Sequence, residues 1–162
     1  MSRRVFFADY KKDLELELLA LWRSSSSHAL GIEEDTRAEA AQEHLEFLRT
    51  LNPECIRVAR EETTDQLLGF MRKEGNEIKD LFIRVEYLRN GLGSEFIRQA
   101  KEEDDVLSLS TFELNKGAQR FYEVHDFVVT RRGFASAEDN PWATTREQLA
   151  DITYEWKHAD RG

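Results

Sequence analysis

Between Lys79 and Phe127 an apolar run, a glycine turn, an amphipathic stretch, a second apolar run and a second short amphipathic stretch follow without a break. This order reads as strand, helix, strand, helix, and it constrains the chain more than any other feature. The turn is Leu88-Arg89-Asn90-Gly91-Leu92-Gly93-Ser94, and the helix it opens carries Leu92, Phe96, Ile97 and Ala100 on one face. The first turn of a helix has backbone N–H groups without intrahelical partners, and its dipole favours negative charge. Gly91 and Gly93 leave these groups open to an anion, and Arg89 adds a cation beside them. Asn115 is placed to cap the second helix, and Tyr122 follows seven residues later, about two turns along. A phosphate cradle followed by a phenol points to chemistry on a phosphorylated carrier. Two other phosphate motifs are excluded. Phe96 stands where the dinucleotide fingerprint has its third glycine, and no Gly-Lys-Ser/Thr is present.

The rest of the chain supplies more strands and helices. Arg4 to Ala8 reads as a first strand. Leu14, Leu18, Leu21 and Trp22 recur at helical spacing, and Ser24 to Ser27 are expected to break that helix, leaving His28 in a loop. Thr36 precedes a run rich in Ala, Glu and Leu that is helical to about Leu51, where Asn52-Pro53 stops it. Cys55, Ile56 and Val58 form a strand, Asp65-Gln66 a hairpin turn, and Leu67 to Met71 the partner strand; Gly75-Asn76 is a second turn. Ile78 to Val85 is the next strand. Its apolar positions change parity between Ile78 and Leu81, which predicts a β-bulge near Lys79-Asp80. After the helix opened by Gly91, Glu102 to Asp105 form a solvated acidic end, and Val106, Leu107 and Leu109 make a strand. The helix capped by Asn115 runs to about His125. Phe127 to Arg132 is a strand, Ser136 to Thr145 a polar loop, and Ile152 to Trp156 the last strand. The order β-α-α-β-β-β-α-β-α-β-β describes a mixed α/β sheet in one domain, 1–162.

With 162 residues, 40% hydrophobic and 34% charged, the chain can bury a sizeable core. A formal net charge of −9 argues against nucleic acid as a partner, since that needs a basic face, and favours a cationic ligand. The single cysteine, Cys55, excludes an intrachain disulfide and a cysteine-based metal cluster, and a reducing cytoplasm fits this. The start, Met1-Ser2-Arg3-Arg4, leads into charged residues with no apolar stretch, so neither a signal peptide nor a membrane segment is expected.

The joint spacing of Leu88-Arg89-Asn90-Gly91-Leu92-Gly93, Asn115, Phe121-Tyr122 and Phe127 resembles the GNAT superfamily of acetyl-CoA-dependent N-acetyltransferases. The close match covers Lys79 to Arg132, and the whole chain follows the family's element order. Leu21-Trp22, the Ser-rich segment and His28 also look like a bacterial subgroup of small acetyltransferases. The resemblance implies a mostly antiparallel twisted sheet with helices on both faces and acetyl-CoA as co-substrate, with no metal. It implies that Leu81, Phe82 and Ile83 pair with the pantetheine arm, the Ile83 N–H polarising the thioester carbonyl. Arg89, Asn90, Gly91, Leu92, Gly93 and Ser94 would hold the pyrophosphate, Asn115 would contact the pantetheine where two strands splay, and Tyr122 would protonate the departing thiolate. Leu88 departs from the family's Gln or Arg. Asp126 departs from its Gly before Phe127, a position that often ends a helix in the left-handed conformation.

For the general base, Glu77 and Asp80 flank the expected bulge, and His28 lies in the variable N-terminal region. The site carried by glutamate in some relatives, five residues before Asn115, is Ser110. The catalytic candidates are Tyr122, Glu77 and His28. His44 and His158 are expected at the surface, and Trp22, Phe70, Trp142 and Tyr154 are candidates to line an acceptor pocket. The function expected is N-acetylation of a small-molecule or peptide amine by a monomer or homodimer. The alternative is a non-catalytic acetyl-CoA-binding regulatory protein or sensor of the same fold.

Overall fold

In a computed structural model describing residues 4–159, seven strands form one sheet in the order β1-β2-β3-β4-β5-β7-β6. The strands are β1 (Val5–Asp9), β2 (Ile56–Glu61), β3 (Leu67–Glu74), β4 (Glu77–Ile83), β5 (Val106–Phe112), β6 (Val128–Phe134) and β7 (Ala150–Lys157). The helices are α1 (Glu15–Leu30), α2 (Ala38–Thr50), α3 (Leu92–Glu103) and α4 (Lys116–Val124). All pairings are antiparallel except β4 with β5, which α3 connects as a crossover. Both the mixed α/β class and the element order agree with the sequence reading.

Each face of the sheet carries its own core. On one, Ile78, Leu107, Leu109 and Tyr154 pack with Phe96, Ile97 and Ala100 of α3 and with Tyr122 of α4. On the other, Val58, Leu67 and Phe70 pack with Leu18, Leu21 and Trp22 of α1 and with Leu45 and Leu48 of α2. Burying each large apolar side chain contributes roughly 1.5–3 kcal/mol relative to exposure.

The serines do not break α1. The helix continues to Leu30 and stops at Gly31, whose φ of 68° supplies the left-handed cap. The Ser26 hydroxyl bonds back to the Arg23 carbonyl at 3.3 Å, and the buried Ser25 donates to the Ile83 carbonyl at 3.2 Å. Their polar groups are satisfied within the helix or by β4, so nothing drives the chain out of helical conformation. His28 therefore lies in the last turn of α1 rather than in a loop.

Two further expectations change. The acidic end of α3 is not merely solvated: Arg57 bonds Glu103 at 2.8 Å, Lys73 pairs with Asp104, and Arg98 reaches Glu102 at 2.5 Å. His44 is half-buried, edge-on to Trp22 at 4.6 Å, and His158 is half-buried beside Trp156. Burial, then the Arg23 cation, lower the His44 pKa from 6.5 to about 4. The unfolded chain therefore binds more protons than the folded one between these values, and stability falls as pH falls through that window. Solvent access tempers the effect to on the order of 1 kcal/mol. Chemical denaturation at pH 7 and pH 5 should show a smaller acid loss in His44→Gln than in the parent; equal losses would discount this histidine.

Candidate active site

A single extra residue opens the sheet. Strand β4 pairs with β5 only at Glu77↔Ser108 and Ile78↔Leu109. Immediately beyond, the β3 register steps from Lys73↔Ile78 to Arg72↔Asp80, leaving Lys79 as the bulged residue, within the Lys79-Asp80 segment where the parity change predicts a bulge. A bulge bends and twists its strand. Past it β4 stays with β3 to Ile83, whereas β5 follows β7 to Phe112, and a gap widens between them.

The gap is edged by free main chain. The Arg84 N–H bonds the Leu68 carbonyl on β3 at 2.7 Å, so in the alternating antiparallel ladder Leu81 and Ile83 direct their N–H groups away from β3, into the gap. The Ile83 carbonyl, on the same side, is the one Ser25 holds. Opposite Ile83 lies Gly69, where a Cβ would stand 2.9 Å from the Phe82 carbonyl oxygen. Only glycine lets β3 and β4 approach this closely.

At the end of the gap the chain turns into α3. Gly91 takes φ 81° and Arg89 φ 68°, and no side chain caps the helix. The first backbone bond of the turn is Glu95 N–H to Gly91 C=O, so among the described residues the N–H groups of Leu92, Gly93 and Ser94 have no partner. Arg89 and Asn90 are exposed beside them, whereas the Leu92 side chain is core. Gly93 has a second role: a Cβ there would lie 3.1 Å from the Phe121 ring, so it also lets α4 pack on α3. The Ser94 hydroxyl is bonded to His125 Nε2 at 2.9 Å, a contact the sequence reading did not contain.

Helix α4 begins as expected. The Asn115 side-chain oxygen accepts from the Ala118 N–H at 3.0 Å, which leaves its amide nitrogen available. Asp126 ends the helix with φ 69°, taking the left-handed conformation expected of a glycine substitute. Tyr122 is buried among Phe121, Phe127 and Tyr154. Among the described residues its hydroxyl has no hydrogen-bond partner, and no sealed side-chain oxygen lacks one, so this oxygen lies at the margin of the core. Burial, then the negative charge of Asp80, push its phenol above the ordinary 10.0.

The structure separates the candidate bases. Glu77 begins β4, is ion-paired with Lys79 at 3.1 Å, and stands on the order of 20 Å of strand from Ile83. His28 is exposed, one turn beyond Ser25 on α1. Asp80 lies just past the bulge on the α1–α2 face, bonded to Arg72 Nε at 2.7 Å, its side chain 14% exposed. Burial raises its pKa above 3.8 despite Arg72. The fields of Asp80 and Tyr122, on opposite faces of the sheet, meet across the gap. The two groups are coupled through charge, and no hydrogen bond joins them: the Asp80 carboxylate is held by Arg72. Ser110, in turn, is bonded to Thr153 at 3.1 Å.

The aromatic candidates divide. Phe70 and Tyr154 are fully enclosed and Trp22 is core, so these three line no pocket. Trp142, on the loop between β6 and β7, stands edge-on to Phe112 at 5.2 Å, at the end of β5 that borders the gap. Among the described residues no cluster of His, Cys, Asp and Glu is suited to a metal ion, and no helix is long and apolar enough to cross a membrane.

The profile of the Acetyltransferase (GNAT) family matches residues 15–127. Among curated proteins none matches the sequence significantly. Solved structures share the fold. The apo form of YjaB from Escherichia coli has a TM-score of 0.71 at 24% identity, with 96% of this chain and 99% of that chain covered. A GCN5-related N-acetyltransferase from Rhodopseudomonas palustris has a TM-score of 0.73 at 18% identity, covering 97% and 98%. The PaiA N-acetyltransferase from Thermoplasma acidophilum, solved in complex with coenzyme A, has a TM-score of 0.63 at 18% identity, covering 98% and 100%. A bulged β4 splayed from its parallel neighbour, an uncapped glycine turn beyond it and a buried tyrosine beside the gap thus sit within a matching profile, and the chain belongs to the GNAT acetyltransferase family.

Proposed function

We propose that the protein transfers an acetyl group from acetyl-CoA to a primary amine by direct attack while both are bound. The observation that carries this reading is the continuity of the gap. The outward N–H groups of Leu81 and Ile83 lead to the unpaired N–H groups of Leu92, Gly93 and Ser94, with Tyr122 in the core cluster against which Leu81 and Ile83 pack. These residues fit an extended amide-bearing arm that ends in a diphosphate. The coenzyme A complex of the Thermoplasma relative supports the same ligand.

Leu81 and Ile83 add the arm as a strand, Leu92 to Ser94 and Arg89 hold its phosphates, and the free amide of Asn115 reaches it from α4. Acetyl-CoA supplies an activated thioester carbonyl. Asp80 takes a proton from the amine, whose nitrogen forms the new C–N bond as the C–S bond breaks. Tyr122 donates a hydrogen bond to the departing sulfur. Its phenol lies above 10.0, whereas a thiol lies near about 8.5, so it stabilises the thiolate rather than surrendering its proton in isolation. Protonation of Asp80 removes the charge that helps hold the phenol up, so taking the amine's proton makes Tyr122 a better donor. Asp80 replaces Glu77 and His28 as the preferred base because it is largely buried just past the bulge, where β4 leaves β5, whereas Glu77 begins β4 in a pair with Lys79 and His28 is exposed on α1.

A panel of amines and peptides with acetyl-CoA, followed by thiol release, tests the reading. Amine-dependent release is expected for at least one cationic acceptor. Acetyl-CoA binding without release from any acceptor would instead favour the sensor reading.

A further inference from the structure

The Ser94 hydroxyl stands in the first turn of α3, where its own N–H is unpaired, and its oxygen is 2.9 Å from His125 Nε2. The His125 ring packs on Phe121 at 4.6 Å, and Phe121 covers Gly93. The His125 carbonyl accepts from Lys101 Nζ at 2.7 Å. The C-terminal end of α4 is thus fastened to α3 both in its phosphate-facing turn and farther along its length.

We propose that His125 is a positioning residue for the diphosphate site, turning the Ser94 hydroxyl outward to donate to a phosphate oxygen. This rests on the acetyl-CoA reading above. A serine oxygen carries one hydrogen. If Nε2 presents its lone pair, Ser94 donates inward and shows an approaching anion only lone pairs. If Nε2 carries a proton, it donates to Oγ, and the hydroxyl hydrogen is free for the ligand. Anion binding and a proton on His125 Nε2 therefore favour each other.

The charged neighbours set the resting state. Burial, then Lys101 on α3, lower the His125 pKa below its ordinary 6.5, while adjacent Asp126 opposes them. The free protein holds this histidine neutral at pH 7; a neutral ring with its one proton on Nε2 already turns the Ser94 hydroxyl outward, and the negative charge of a bound diphosphate beside it further favours the cation, drawing a second proton from solvent onto the ring. The affinity for the cofactor rises as pH falls, and binding takes up a proton.

The test is isothermal titration with dephospho-CoA, which keeps the diphosphate but lacks the terminal phosphate monoester that titrates near about pH 6. Measurements at pH 6.5 in two buffers of different ionisation enthalpy give the protons taken up. Ser94→Ala and His125→Leu should each weaken binding about tenfold, the loss of one hydrogen bond to a charged group. The double variant should be no weaker than the weaker single one. Proton uptake should occur in the parent and vanish in His125→Leu. His125→Gln, which keeps a polar group at low folding risk, should retain most affinity without proton uptake. Parent-like affinity and proton uptake in both His125 variants, or additive losses in the double variant, would overturn the proposal while leaving the cofactor reading intact. A parent that binds acetyl-CoA but not dephospho-CoA would overturn the proposal alone, and one that binds neither would overturn both.

Discussion

Tyr122→Phe lowers kcat about a hundredfold or more and leaves acetyl-CoA affinity within about twofold, the expected size of a lost proton donor. The ring fills the same space among Phe121, Phe127 and Tyr154, so the core is undisturbed. The hydroxyl bonds no described residue, so its removal strands no protein partner and costs little stability. Steady-state kinetics beside titration of the cofactor make the measurement. Unchanged turnover would remove Tyr122 from the mechanism, and parallel loss of binding would make its role structural.

Asp80→Asn has the second large effect, a fall in kcat/KM of about two to four orders of magnitude. In the parent, kcat/KM should rise with pH through the Asp80 titration, which burial places above 3.8, because only the ionised carboxylate accepts the amine's proton. The asparagine variant should lose that limb. Arg72, 12% exposed, keeps Glu74 at 2.6 Å but loses its bond to the Asp80 carboxylate, so the variant should also be less stable by about 1–3 kcal/mol. Kinetics are therefore compared below the variant's unfolding temperature. Glu77→Gln should remain within a few fold of the parent, since Glu77 is half-exposed and paired with Lys79. The reverse pattern, with Glu77→Gln inactive and Asp80→Asn active, would move the base to the start of β4.

The residues legible in the sequence were those whose role is local. The parity change between Ile78 and Leu81 placed the bulge near Lys79-Asp80, where the register steps, the Asn115 cap follows from its neighbours three residues on, and Asp126 stands where the backbone turns left-handed. The glycine turn was legible for the same reason. What the sequence hid depends on contacts between distant segments. Ser24 to Ser27 look like a helix break until Ser25 meets Ile83, 58 residues away. His44 looks exposed until α2 lays it on Trp22. Asp80 and Glu77 are equivalent in one dimension, and only the burial of Asp80 against Arg72 distinguishes them. The Ser94–His125 bond joins residues 31 positions apart, with no periodic signal linking them.

The central claim is that the β4–β5 gap and the α3 turn form one continuous coenzyme A site. Amide chemical-shift mapping with coenzyme A tests this most directly. The largest shifts are expected at the N–H groups of Leu81, Ile83, Leu92, Gly93 and Ser94, which lack partners in the sheet or helix. Saturating coenzyme A that leaves these five amides unmoved, or that shifts residues elsewhere alone, would contradict the account.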